Sequence, residues 1–205
     1  MLFRSKLKPD LHGALANWGS TLGDQAKTKQ GEAADRLFEA SYQKFAEALK
    51  LKPDLHQALA NWGNALLAQA RTKQGEAADR LFEAAYQKFA EALKLKPDFH
   101  EALNNWGSAL WSHSRLKTGA ARPQLRRAAR EKLLAAERIR PGSAAYNLAC
   151  FEAGDSNIAE AINWLKQDAA TGGQPSKKQL SEDTDFDPIR NAPAFAEFLS
   201  SLPEA

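Results

Sequence analysis

Along residues 51–94 the apolar positions fall three or four apart in two successive runs, with a polar, glycine-bearing gap between them. Leu55, Ala58, Leu59, Trp62, Ala65, Leu66 and Ala70 make the first run; Ala78, Leu81, Phe82, Ala85, Tyr86, Phe89, Ala92 and Leu93 make the second. This spacing puts one stripe of a 3.6-residue helix against a neighbour and leaves the rest in water, so two amphipathic helices are predicted. Gly75 breaks the chain between them, and Pro97 stops the second helix and stands near the start of the next. Asp54, directly after Pro53, then suits the positive end of a helix dipole. The unit is an antiparallel helical hairpin.

The unit is written three times. Residues 7–50 and 51–94 differ at seven of 44 positions; a third copy begins at Leu95, diverges after Trp111, and keeps Gly119 and Pro141 in phase. One hairpin alone cannot bury Trp62, Phe82, Tyr86 and Phe89, so the expected fold is all-α, a solenoid of αα-hairpins sharing one continuous core. In the third copy Phe82, Tyr86 and Leu93 become Arg126, Arg130 and Glu137, while Leu81, Ala85 and Phe89 become Leu125, Ala129 and Leu133. One apolar face survives. The charged face is read as the solvent-facing end of the stack.

At this point the residues resemble the tetratricopeptide repeat (TPR) family. Asn61-Trp62-Gly63 is similar to the family's Asn-Leu-Gly, and Ala92-Leu93-Lys94-Leu95-Lys96-Pro97 to its Ala-Leu-x-Leu-x-Pro ending. Residues 145–165 resemble a shorter, ordinary repeat, with Asn147-Leu148-Ala149 and Ala161-Ile162 in register. The likeness covers about 7–170 and implies a TPR-like right-handed superhelix. The departure is length. The family repeat is about 34 residues and these are 44, the surplus falling around 70–80, so both helices are expected to run a turn or more longer than the family norm. The resulting organisation is an N-terminal arm (1–6), three 44-residue hairpins (7–140), a shorter TPR-like repeat (141–170), then a linker and a C-terminal capping helix (171–205). Asn191 is the expected N-cap of that last helix, with Pro193 in its first turn and Phe195, Phe198 and Leu199 as its apolar stripe.

The resemblance also implies a concave groove lined by the first helices, where the residue matching Asn61 bonds the main chain of an extended peptide. Carried over, the ladder is Asn17, Asn61, Asn105 and Asn147, joined by Ser20, Asn64 and Ser108 one turn on and by Asn104 on the wall. An amide suits this work because it both donates to and accepts from a peptide group. The competing reading is that the same amides bond between neighbouring helices. Gly13, Gln57 and Glu101, with Ala16, Ala60 and Asn104, bring no positive charge to the wall. A clamp for acidic chaperone tails is therefore not expected, and the groove should prefer a neutral or mildly apolar ligand.

Charge and composition narrow the function. The chain of 205 residues carries a net charge of +3, but Lys and Arg outnumber Asp and Glu by ten to four over residues 95–140 and are outnumbered four to ten over 141–205. Arg122, Arg126, Arg127 and Arg130 form a candidate patch for an anionic partner. The alternative is a solvated face paired with Glu182, Asp183, Asp185 and Asp187. No aromatic residues are interleaved with the arginines, so nucleic acid is not an expected partner. His12, His56 and His100 recur in phase, yet equivalent positions on stacked helices lie roughly 8–10 Å apart, too far for ligands at about 2.1 Å from one zinc. No metal or cofactor is expected. No nucleophile is spaced with a base and no glycine-rich loop follows a strand, so the chain is not read as an enzyme.

The one cysteine, Cys150, excludes an internal disulfide; no apolar run reaches 18 residues, and the start lacks a secretory leader. These features give an expectation of cytoplasmic location without a membrane partner. The functional expectation is a scaffold that binds a protein or peptide on its concave surface. The alternative is a self-assembly unit whose repeats stack or exchange between chains, a homo-oligomer formed through the flank of the first hairpin, because 1–6 is too short to cap it.

Overall fold

The computed structural model describes residues 11–173 and 175–202; the arm expected at 1–6 and Pro9 of the first copy lie outside them. The chain forms α1 (Leu11–Lys27), α2 (Gly31–Leu51), α3 (His56–Ala70), α4 (Gly75–Leu95), α5 (His100–Arg115), α6 (Ala121–Ile139), α7 (Ala145–Gly154), α8 (Ile158–Ala170), α9 (Lys177–Glu182) and α10 (Pro193–Ser201), with a 3₁₀ turn over Thr184–Ile189. Among the described residues there is no strand. Each odd helix from α1 to α7 packs on the helix after it, and the four hairpins pack in series, so the molecule is an all-α repeat solenoid. The extra length is real against the chain's own short repeat. α5 and α6 have 16 and 19 residues where α7 and α8 have 10 and 13, a difference of about 9 Å in height at 1.5 Å per residue.

The breaks lie close to where the sequence marks them. Gly31, Gly75 and Gly119 take φ of 58°, 58° and 59°, the left-handed backbone that a side chain resists, and they turn each first helix into its second. Lys52 and Lys96, ahead of Pro53 and Pro97, are extended at φ −143° and −138°, as the residue before proline must be, and this ends α2 and α4. The prolines occupy the turn itself and not the first turn of the next helix. Asp54 correspondingly stands outside α3, its carbonyl accepting from the His56 N–H at 3.0 Å.

Two kinds of contact build the core. Within a hairpin the helices meet at the glycine of Asn-Trp-Gly: a Cβ on Gly63 would lie 2.6 Å from the Phe89 ring, and one on Gly107 2.6 Å from Leu133. Between hairpins, Tyr42 and Phe45 stack on Trp62, both at 6.3 Å, and Tyr86 stacks on Trp106 at 6.3 Å. A lysine of the same hairpin covers each indole in turn: Lys44 lies 4.7 Å from Trp18, Lys88 4.6 Å from Trp62 and Lys132 4.0 Å from Trp106. Trp18 has no preceding hairpin against it and is 54% exposed.

A polar staple recurs at each junction of the tall hairpins. In the first, the Tyr42 hydroxyl donates to Gln69 Oε1 (2.7 Å), Gln69 Nε2 donates to Asp35 (2.8 Å), and Lys73 closes on the same carboxylate (2.7 Å). In the second, His113 stands in the place of Gln69. A carboxylate can only accept, so His113 Nε2–H donates to Asp79 (3.0 Å) and Nδ1 accepts from Tyr86 (3.0 Å), while Lys117 bonds Asp79 at 2.5 Å. Bonds from Lys73 and Lys117 first, and from Gln69 and His113 second, hold Asp35 and Asp79 below the usual carboxylate range. A carboxyl whose pKa falls on folding contributes stability above its ordinary value of 3.8 and loses it as pH falls through the folded value. Because Gln offers the same acceptor and donor, His113→Gln is expected to change unfolding stability by less than about 1.5 kcal/mol. His113→Leu, which strands Asp79 and Tyr86, costs about 1–3 kcal/mol; urea titration of both variants at neutral pH checks this.

The end of the third hairpin departs from the expectation of a solvent-facing surface. The shorter repeat covers it. Arg126 keeps only 13% of its side chain exposed, lies over Trp111 (4.5 Å) and Phe151 (4.9 Å), and pairs with Asp155. Arg130 bonds the buried Glu152 at 3.1 Å. Glu137, 7% exposed, accepts from the Gly142 N–H (2.5 Å), the Ala144 N–H (2.9 Å) and Gln167 Nε2 (2.7 Å). The charges replace apolar residues because the neighbour changed: the short repeat presents the carboxylates of Glu152 and Asp155, and the turn before α7 presents the N–H groups of Gly142 and Ala144, where earlier hairpins present aromatics.

Beyond α8, the stretch read as a linker holds α9, capped by Ser176 Oγ accepting from the Gln179 N–H at 3.1 Å. Leu180, Phe186, Ile189, Phe195 and Phe198 fold onto Ala161 and Leu165 as a terminal cap. Its last helix starts at Pro193 with Ala192 at the N-cap, one residue after the expected Asn191, and with no side-chain cap.

Candidate functional site

The asparagine one residue before each indole is turned about 100° away from it around the helix, so burying Trp62 and Trp106 between hairpins puts Asn61 and Asn105 on the first-helix face. The structure divides the expected ladder in two. Asn61 Nδ2 donates to Ser20 Oγ of α1 (3.2 Å), and Asn147 Nδ2 donates to Asn104 Oδ1 of α5 (2.8 Å), so these four join neighbouring first helices. Ser108 accepts from Arg71 at 3.1 Å. Asn17, Asn64 and Asn105 have no hydrogen bond from their side chains among the described residues, and all three reach solvent.

Two clefts open beside the free amides. The first, about 180 Å³, lies between α1 and α3 and is lined by Ser20, Asp24, Lys27, Asn61 and Asn64. The second, about 310 Å³, lies between α5 and the α6–α7 turn and is lined by His100, Glu101, Asn104, Asn105, Arg140 and Thr171. Each carries an amide without an internal partner and a carboxylate at its rim. Among the residues that line the clefts, no side chain is paired as nucleophile and base.

The face is more charged than the wall residues imply. Arg71 reaches across to α5, bonding Ser112 at 2.9 Å as well as Ser108. Arg115 of α5 pairs with Asp185 of the 3₁₀ turn, which brings the acidic tail back onto the end of the face. Lys27, Arg71 and Arg115 are in 44-residue phase, the same signal that marked the asparagines. Arg115 reads in the sequence as part of the basic segment 95–140, and none of the three is assigned to the groove there, because they sit at the end of each first helix, away from the motif that carries the resemblance.

The arginine patch is also divided. Arg126 and Arg130 are held by Asp155 and Glu152 of the short repeat, and not by the tail; Arg122 and Arg127 are exposed without an ion pair among the described residues. A shallow cavity beside them is lined as much by acid (Glu152, Asp155, Glu160) as by base. Elsewhere Cys150 Sγ lies with carboxylates of Asp183 and Asp185 within 4.8 Å. Asp185 already has Arg115, Asp183 accepts from the Tyr146 hydroxyl at 2.7 Å, and burial pushes the Cys150 thiol well up, all of which suits packing and not ligation.

Comparison with known families gives the context. The model of the plant-specific mitochondrial import receptor subunit TOM20 matches residues 4–103 and, in a second overlapping register, residues 36–155, as a chain of near-identical repeats allows. No protein of curated description matches the chain. The likeness to tetratricopeptide repeats stands at the level of the helical-hairpin fold. A receptor family agrees with the reading of a protein-binding molecule that is not an enzyme. It overturns the expected cytoplasmic location. That expectation rested on cysteine usage and hydropathy, neither of which bears on mitochondria. On a match covering more than half of its length, the chain belongs to the plant-specific TOM20 family of mitochondrial import receptor subunits.

Proposed function

We propose that the first-helix face captures an extended segment of a protein bound for import, with Asn64 and Asn105 bonding its main chain. The observation that supports this is the pair of clefts, each with an amide left without an internal partner beside a carboxylate. An extended chain advances about 3.3 Å per residue and packed helices lie about 8–10 Å apart, so successive amides meet every third peptide group. Glu101 at the rim of the second cleft suits the arginine-rich, acid-poor character of mitochondrial targeting peptides, and at the first a peptide arginine would compete with Lys27 for Asp24. Titration of the full chain with a fluorescent targeting peptide tests the reading. Asn64→Ala/Asn105→Ala is expected to weaken binding about thirtyfold, two hydrogen bonds at about 1 kcal/mol each. Asn61→Ala removes a bond to Ser20 and lowers stability first. Unchanged affinity in the double variant rejects the groove.

A second reading, self-association through the first hairpin, is favoured by the exposure of Trp18 (54%) and Leu11 (52%) on its outer flank. Sedimentation over a concentration series separates the two, because only self-association gives a mass that climbs, and Trp18→Ala then abolishes the climb.

A further inference from the structure

Every turn from a second helix into the next first helix lies at one end of the stack, because the helices alternate in direction. At that end the chain repeats one arrangement three times. Leu51, Leu95 and Ile139, 44 residues apart, are 55%, 45% and 41% exposed, half of the large apolar side chains left in water among the described residues. Each is flanked on both sides by a cation: Lys50 and Lys52, Lys94 and Lys96, Arg138 and Arg140. Among the described residues none of the six is in an ion pair. The nearby Glu47 and Glu91 are taken by Lys44 and Lys88, both at 2.9 Å, and Glu137 is buried on backbone N–H groups. Only Asp54 and Asp98 oppose them in these turns, and the third turn has Gly142 in that place.

We propose that this edge rests on an anionic lipid surface, with the three apolar side chains entering the headgroup region and the six cations meeting lipid phosphates and carboxylates. Single apolar residues, each ringed by cations and spaced one hairpin apart, suit a fluid surface that needs no matched shape. A protein partner would call for a contiguous apolar centre with a polar rim. The long lysine and arginine stems let the charged heads spread around the apolar tip. A cleft of about 320 Å³ lined by Leu49, Pro53, Leu59 and Leu95, together with Lys94 and Glu91, opens between the first two triplets and offers an apolar floor to an acyl chain. Among the described residues no helix is long and apolar enough to cross a membrane, and the contact proposed is with its surface. It shares Arg140 with the second cleft of the groove, and the variants used below leave that residue in place.

Flotation of the full chain with vesicles tests it, using phosphatidylcholine alone and with about 30 mol% phosphatidylserine. Each cation near such a surface is worth about a fivefold change in partition. Binding is expected to the anionic vesicles alone and to fall steeply with salt. Lys50→Gln/Lys94→Gln/Arg138→Gln should weaken it at least tenfold, as should Leu51→Ser/Leu95→Ser/Ile139→Ser, while Asn64→Ala/Asn105→Ala leaves it unchanged. The positions are exposed, and circular dichroism melting confirms that each variant folds. Failure to float with anionic vesicles, or flotation that neither edge variant alters, overturns the proposal. Loss with the glutamine set alone overturns the apolar insertion, and edge-dependent retention of an acidic protein without vesicle binding overturns the lipid assignment.

Discussion

Glu137→Leu, which restores the residue that the first two hairpins carry at this position, is expected to destabilise the molecule by about 2–4 kcal/mol. Leu49 and Leu93 are right where they stand, packed against the next hairpin's first helix. At 137 the next element is the turn into the shorter repeat, and its Gly142 and Ala144 N–H groups point at the carboxylate together with Gln167. Leucine leaves two backbone donors with no acceptor, and the turn's left-handed Gly142 (φ 86°) loses the group that fixes it. Urea unfolding measures the cost, and amide exchange at Gly142 and Ala144 localises it. A neutral or stabilising leucine would show that the two N–H groups find other acceptors and that Glu137 is ornamental to the junction.

Phe89→Ala should cost about 3–5 kcal/mol, the range for deleting a fully buried ring. Phe89 is 0% exposed and fills the space over Gly63, whose missing side chain is what admits it. Its own helix already lays Lys88 over Trp62, 4.6 Å from the ring, which limits how far it can close inward. Trp18→Ala, at a larger aromatic, should cost well under half as much, since that indole is more than half exposed. Denaturant titration of the pair decides the matter: equal losses would mean that the outer flank of the first hairpin is as buried as the core.

Most of the architecture was legible because repetition supplies its own control. The phase of Gly31, Gly75 and Gly119 marked the turns, and the apolar spacing marked which face of α3 and α4 would be buried. What stayed hidden was set by unlike neighbours. Arg126, Arg130 and Glu137 read as an exposed end because the short repeat gives no sign in sequence that Asp155, Glu152 and Gln167 come to meet them. The site was half legible. Asn17, Asn61, Asn64 and Asn105 could be placed on one face from their spacing to the indoles, but whether an amide is free or bonded to the next helix depends on a few tenths of an ångström. Asn61 and Asn104 proved bonded, Asn64 and Asn105 free. Location could not be read from composition, since cysteine usage and mean hydropathy carry no mark of the mitochondrial surface.

Hydrogen exchange of the full chain with and without a saturating targeting peptide tests the docking face most directly. The account predicts slowed exchange along the exposed sides of α1, α3 and α5 around Asn17, Asn64 and Asn105, with α2, α4 and α6 unchanged. Protection confined to the second helices, or to the Arg122 and Arg127 surface, would contradict it.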